Sequence, residues 1–126
     1  MSPTKQKRYN CNQKVLSHFC ESKDLIHAGA LFGSGMRLAS VCGAYTGALM
    51  VLGVKLSEDG DVNSAYKIFD EEFTSRVGCR NCFDILGKDA TKPDERQALI
   101  EEGIIPNRCN HAIETAIDII ENILAK

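Results

Sequence analysis

The chain has 126 residues, 44% hydrophobic and 25% charged, with a formal net charge of -2. It is the size of one domain and apolar enough to bury one core. That charge gives no electrostatic footprint for nucleic acid or an anionic membrane surface, and with no Trp, three Tyr and five Phe, nucleic acid is not an expected partner. Six cysteines are too few for a disulfide scaffold. No apolar leader follows the basic run Lys5, Lys7 and Arg8, so a cytoplasmic protein with reduced thiols is expected, the thiols serving catalysis, sensing or metal ligation.

Residues 1–8 read as a flexible basic tail, and 9–126 as a single helical domain. From Asn10, the spacing of Cys11, Val15 and Phe19, with Leu16 and Cys20 on the adjacent row, predicts a helix with one apolar face. Cys20 lies midway along it and reads as core filling. A short helix follows over Asp24 to Phe32, ending at Gly33-Ser34-Gly35, where two glycines let the backbone turn or approach another group closely.

Ser40 offers a cap for a buried helix from Val41 to Leu56, too short an apolar run to cross a bilayer, which takes about 20 residues. Gly43, Gly47 and Ala48 put small residues on one of its faces, suited to close helix contact inside the chain or with a second copy in a homodimer. Ser57 to Gly60 is turn-like. Ala65, Phe69, Phe73 and Val77 then mark an amphipathic helix from Val62 to Gly78.

Cys79-Arg80-Asn81-Cys82 leads into a short Phe83–Leu86 turn of helix stopped by Gly87, then a polar connector from Lys88 to Lys92. Pro93 suits the first position of a helix that Gly103 ends. Ile104, Ile105 and Pro106 read as an extended link, and Asn107 as the cap of a last helix. Its Ile113, Ile117, Ile120 and Leu124 face one way and Glu114, Asp118 and Glu121 the other. No segment alternates with period two, so an all-α bundle of five to seven helices is expected, without strands.

Four cysteines fall at predicted helix starts: Cys11, Cys42, Cys82 and Cys109. Unpaired N–H groups and the positive end of the helix dipole favour a thiolate there, typically by about 0.3–1 kcal/mol. Four such ends converging would suit an anionic sulfur cage. Iron-sulfur clusters and structural zinc both take four Cys ligands. The spacing matches neither the compact ferredoxin runs nor a pair of zinc-ribbon knuckles, so the fold must bring distant positions together.

Free cysteines also fill cores as small hydrophobes, which is the competing account. Cys79 and Cys82 could form a dithiol with Arg80 favouring the thiolate, but the strand that precedes such a motif in thioredoxins is absent. His18 and His111 are further candidate ligands or proton carriers, although surface and core histidines are commoner. No Cys-x-x-Cys-His run attaches haem, and no glycine-rich loop for dinucleotides or phosphates is present. Glu71-Glu72 and Glu101-Glu102 read as solvated helix faces, neighbours pointing about 100° apart.

These residues resemble the redox-active family named for the cysteine pattern C-GCAxxG-C-C. The central motif stands as Cys42-Gly43-Ala44-Tyr45-Thr46-Gly47, with Gly43 between the Cys and the Ala and Val41 where the name has Gly. The likeness extends to Tyr9-Asn10-Cys11, Gly33-Ser34-Gly35-Met36, Asn81-Cys82-Phe83-Asp84-Ile85-Leu86-Gly87 and Cys109, nearly the whole chain. It maps the family's four cysteines onto Cys11, Cys42, Cys82 and Cys109, leaving Cys20 and Cys79 as additions. It implies a helical redox protein, and a likeness to the non-haem part of split-Soret cytochromes implies an iron-sulfur cluster without haem.

The leading reading is therefore an electron carrier or redox sensor in which those four cysteines hold a cluster and serve a redox partner protein. Gly33, Gly35, Gly43 and Gly47 would let backbone N–H groups approach the sulfurs and the bound group. The alternatives are thiol-disulfide or sulfur-transfer chemistry with Cys42 attacking, and a structural zinc module on the same four ligands.

Overall fold

The structure, a computed structural model, describes residues 9–56 and 61–125. The basic tail and the Ser57–Gly60 turn named above lie outside them. Asn10 starts the first helix, α1 (Cys11–Phe19), through a reciprocal cap: its side chain accepts the Gln13 N–H at 2.9 Å while Gln13 Oε1 accepts the Asn10 N–H at 3.2 Å. Cys20 closes that helix and packs, partly buried, against the core. The second helix, α2 (Lys23–Ala28), is capped by Ser22 and ends at Gly29, shorter than the expected Asp24–Phe32. Asn10 Nδ2 holds the chain beyond it, donating to the carbonyls of Gly29 and Ala30 at 2.9 and 3.2 Å.

The long central helix, α3 (Gly43–Leu56), buries Ala44, Tyr45, Gly47, Ala48, Val51 and Leu52. It crosses α1 so closely that a Cβ at Gly47 would stand 2.7 Å from the Asn12 carbonyl oxygen, and one at Gly43 2.8 Å from the Asn12 nitrogen. The small-residue face considered for a homodimer is thus occupied by α1 within the chain. Asn12, wholly buried between them, donates to Thr46 Oγ1 at 3.0 Å. On the other side, Tyr45 packs its ring 5.3 and 5.4 Å from Phe69 and Phe73 of α4 (Val62–Val77), which Asp61 caps and Gly78 ends.

Three helices complete the bundle: α5 (Cys82–Leu86), α6 (Pro93–Glu101) and α7 (Ile104–Leu124). The seven α-helices agree with the expected class, and no strand occurs among the described residues. An isolated antiparallel bridge, Val41 to Asn81, is the closest approach to one. That bridge displaces the expected Ser40 cap: Val41 is extended and α3 begins at Gly43.

Two expectations fail at α7. Ile104, Ile105 and Pro106 are its first turn rather than an extended link, and Gly103, not Asn107, precedes it. Proline fits because amides of a first turn have no intrahelical acceptor, so its missing N–H costs nothing there. Cys109 consequently sits in the second turn, away from a helix start.

Between α2 and α3 the chain makes a left-handed turn. Ser34, Gly35, Met36 and Arg37 have φ of 52°, 64°, 56° and 63°, and Ala39 of 55°, closed by the Ser40 N–H on the Gly35 carbonyl at 2.9 Å. Only one of the five is glycine, and the left-handed conformation costs other residues about 1–2 kcal/mol each. The surrounding contacts hold the turn in place: Gly35 is buried against Cys82, and Ser34 Oγ accepts from Arg96 at 3.0 Å.

Candidate functional site

Cys11, Cys42, Cys82 and Cys109 line one cleft of about 480 Å³. Four elements deliver them. Cys11 is the first residue of α1, Cys82 the first of α5, and Cys109 comes from α7. Cys42 immediately precedes α3, where its carbonyl accepts from the Tyr45 and Thr46 N–H groups and the backbone amides of Ala44 and Tyr45 favour its thiolate.

The Val41–Asn81 bridge sets two of these positions side by side. Cys42 N–H donates to the Arg80 carbonyl at 2.8 Å and Cys82 N–H to the Ser40 carbonyl at 2.7 Å, so the starts of α3 and α5 are tied backbone to backbone. Arg80 is in turn clamped by Asp70 of α4, which also accepts the Tyr45 hydroxyl at 2.7 Å. Arg80 is therefore a strut of the bridge, rather than the thiolate-stabilising cation expected of it.

Burial raises two of these four thiols. It pushes Cys42 up to about 11, aided by the charge of Cys11, and Cys82 up to about 12, aided by Cys42 and Cys11. Cys11 and Cys109 interact directly. Their hydrogen bond lowers Cys109 and raises Cys11, so of the two sulfurs Cys109 is the one favoured as thiolate. Lys14 favours the thiolate at both, and Arg96 does so at Cys82. Among the described residues no carboxylate lines the cleft, and Lys14 and Arg96 are its charged lining.

Gly33, Gly35 and Gly43 line the cleft as well. A Cβ on Gly35 would stand 2.8 Å from that of Cys82, and one on Gly43 3.1 Å from that of Cys11, so absent side chains allow both close approaches. Gly47 instead lies in the α1–α3 contact away from the cleft. His18 is exposed beside Glu121 and His111 beside the Arg76 carbonyl, neither lining the cleft. Cys79 stands outside the lining, its thiol raised by burial.

Lys14 and Arg96 escaped the sequence reading. Lys14 follows Cys11 by three residues and so shares its helix face, a signal that was available. Arg96 has no sequence neighbour at the site and is brought there by α6.

A family model described as "Putative redox-active protein (C_GCAxxG_C_C)" matches residues 9–123. The chain belongs to the C_GCAxxG_C_C family. No curated protein and no solved structure matches it. Among the described residues, no group of three or more His, Cys, Asp or Glu side chains that could hold a metal ion occurs, and no helix is long and apolar enough to cross a membrane.

Proposed function

We propose that this C_GCAxxG_C_C protein is an electron carrier or redox sensor whose Cys11, Cys42, Cys82 and Cys109 hold an iron-sulfur cluster, working in a reducing cytoplasm with a redox partner protein. The observation that carries this is the meeting of those four cysteines, from four separate elements, on one cleft free of carboxylates. An all-sulfur donor set suits iron-sulfur and zinc centres. The likeness to the non-haem part of split-Soret cytochromes is what prefers the cluster to zinc.

When bound, a cluster would store and release single electrons. The chain does the rest. Lys14 and Arg96 offset the charge of the thiolates. Ile85, Leu86, Ala90 and Ile105 supply apolar lining that limits water, and the glycine approaches leave room beside Cys11 and Cys82. Burial keeps Cys42 and Cys82 protonated in the free protein, so loading releases protons.

Anaerobic reconstitution with ferrous iron and sulfide tests this. Visible absorption with bound iron and acid-labile sulfide is expected, together with lost iron in each of Cys11→Ser, Cys42→Ser, Cys82→Ser and Cys109→Ser but not Cys20→Ser. A colourless product, or iron retained by all four variants, overturns it.

The Cys11–Cys109 contact favours a second reading. The Cys109 thiolate attacks a substrate disulfide and Cys11 resolves the mixed disulfide, forming a Cys11–Cys109 bond as the substrate leaves as two thiols. The attacker expected from the sequence, Cys42, is buried and its thiol pushed up to about 11, which favours Cys109 for that step. A colourless protein losing two free thiols on oxidation would select this reading over the cluster.

A further inference from the structure

A second groove of about 450 Å³ adjoins the sulfur cleft, sharing Asn10, Gly33 and Ser34 with it. We propose that this groove binds a small oxyanion, the carboxylate or phosphate group of a redox substrate, with Arg37 as its anchoring cation.

Two lining side chains of the groove, Ser34 and Arg37, keep donors free. Asn10 and Gln13 spend their side-chain amides inward, Asn10 on the Gly29 and Ala30 carbonyls, Gln13 on the Ile26 carbonyl, and each accepts a backbone N–H from the other. Thr91 donates its hydroxyl to Asp89. Ser34 Oγ accepts from Arg96, which leaves its own proton to donate. Arg37 has no hydrogen-bond or ion-pair partner among the described residues and presents a whole guanidinium. No carboxylate lines the groove. Donors facing a ligand want an acceptor, and a guanidinium matches the two oxygens of a carboxylate or phosphate.

The backbone supplies an independent reason. Ser34 and Arg37 stand three apart on the left-handed turn, and both line the groove. Four non-glycine residues, Ser34, Met36, Arg37 and Ala39, are held there at positive φ, the kind of local strain that concentrates at ligand sites. The shared wall at Gly33 and Ser34 sets a bound oxyanion beside the cysteines. The inference rests on the cleft being the reactive site, and stands whether its sulfurs hold a cluster or work as thiols.

Amide chemical-shift titration with inorganic phosphate and with succinate tests it, using neutral succinamide as the control. Saturable shifts at Ser34, Arg37 and Thr91 are expected with either anion and absent with succinamide. Arg37→Gln should weaken binding about tenfold, while Arg76→Gln leaves it unchanged. Phosphate binding without succinate binding would identify a phosphate ligand, and the reverse a carboxylate. Equal binding by succinamide, or by Arg37→Gln, overturns the proposal. Bound anion should also slow iodoacetamide alkylation of Cys82, and an unchanged rate would disconnect the groove from the sulfurs. These readouts need no cluster, so a colourless protein that binds anion through Arg37 would count against the cluster alone.

Discussion

Arg80 grips Asp70 through two bonds, Nε to Oδ1 at 2.6 Å and Nη2 to Oδ2 at 2.9 Å, and the same carboxylate takes the Tyr45 hydroxyl. The Arg80 carbonyl receives the Cys42 N–H, so α3, α4 and the start of α5 are tied together next to the cysteines.

This clamp has a pH signature. Arg80, then Tyr45, holds the Asp70 carboxyl below its ordinary range. The folded value lies below the unfolded one, so the stabilisation is complete above the ordinary carboxylate range and is lost as pH falls through the folded value. Asp70→Asn should lower the urea midpoint at pH 7, and the gap to the wild type should close as pH falls below the ordinary carboxylate range. Parallel midpoint curves across that window would mean that the clamp contributes nothing.

Two of the three glycines of α3, Gly47 and Gly53, should answer oppositely to one methyl group. Gly47→Ala drives a Cβ to 2.7 Å from the Asn12 carbonyl oxygen, where backbone must give, at a cost of about 1–3 kcal/mol. A Cβ at Gly53 meets nothing within 4 Å, so Gly53→Ala should gain about 0.5–1 kcal/mol from the stiffer unfolded chain. Urea unfolding of both separates the packing role of Gly47 from the helix weakness of Gly53.

Period and punctuation made the helices legible in the sequence. The Asn10 cap, the Phe69 and Phe73 stripe and the Gly78 and Gly87 stops all lie where expected, because these are local effects. Pro106 misled because proline reads as a break, although in a first turn it is tolerated. Cys11 and Cys82 were legible as helix starts, Cys109 was not, and the raised thiols of Cys42 and Cys82 follow burial, which tertiary packing decides. The left-handed turn was signalled only as two glycines, since Met36, Arg37 and Ala39 adopt it against their own preference.

Lys14 and Arg96, the cleft's charged lining, should tune the loaded site without being required for it. Lys14→Gln and Arg96→Gln are expected to lower the midpoint potential of reconstituted protein, since less positive charge opposes an added electron. Iron retention should fall by no more than about fivefold for partly solvated cations. Redox titration beside iron analysis checks this, and potentials unmoved in both variants would show that neither cation senses the sulfur site.

The left-handed turn offers a matched pair of substitutions. At Gly35, φ of +64° and a prospective Cβ 2.5 Å from both the nitrogen and the oxygen of Ser40 leave no room for a side chain, and Cys82 Cβ stands at 2.8 Å. Gly35→Ala should cost about 3 kcal/mol and push the turn off Cys82, speeding its alkylation in metal-free protein. Ala39 bears a side chain at φ of 55°, so Ala39→Gly relieves about 1–2 kcal/mol of strain against a smaller gain in unfolded-chain freedom. A rise of up to about 1 kcal/mol, with Cys82 alkylation unchanged, is expected. If Ala39→Gly destabilises the protein or exposes Cys82, the methyl group of Ala39 holds the cleft wall by packing, and the turn stores no strain there.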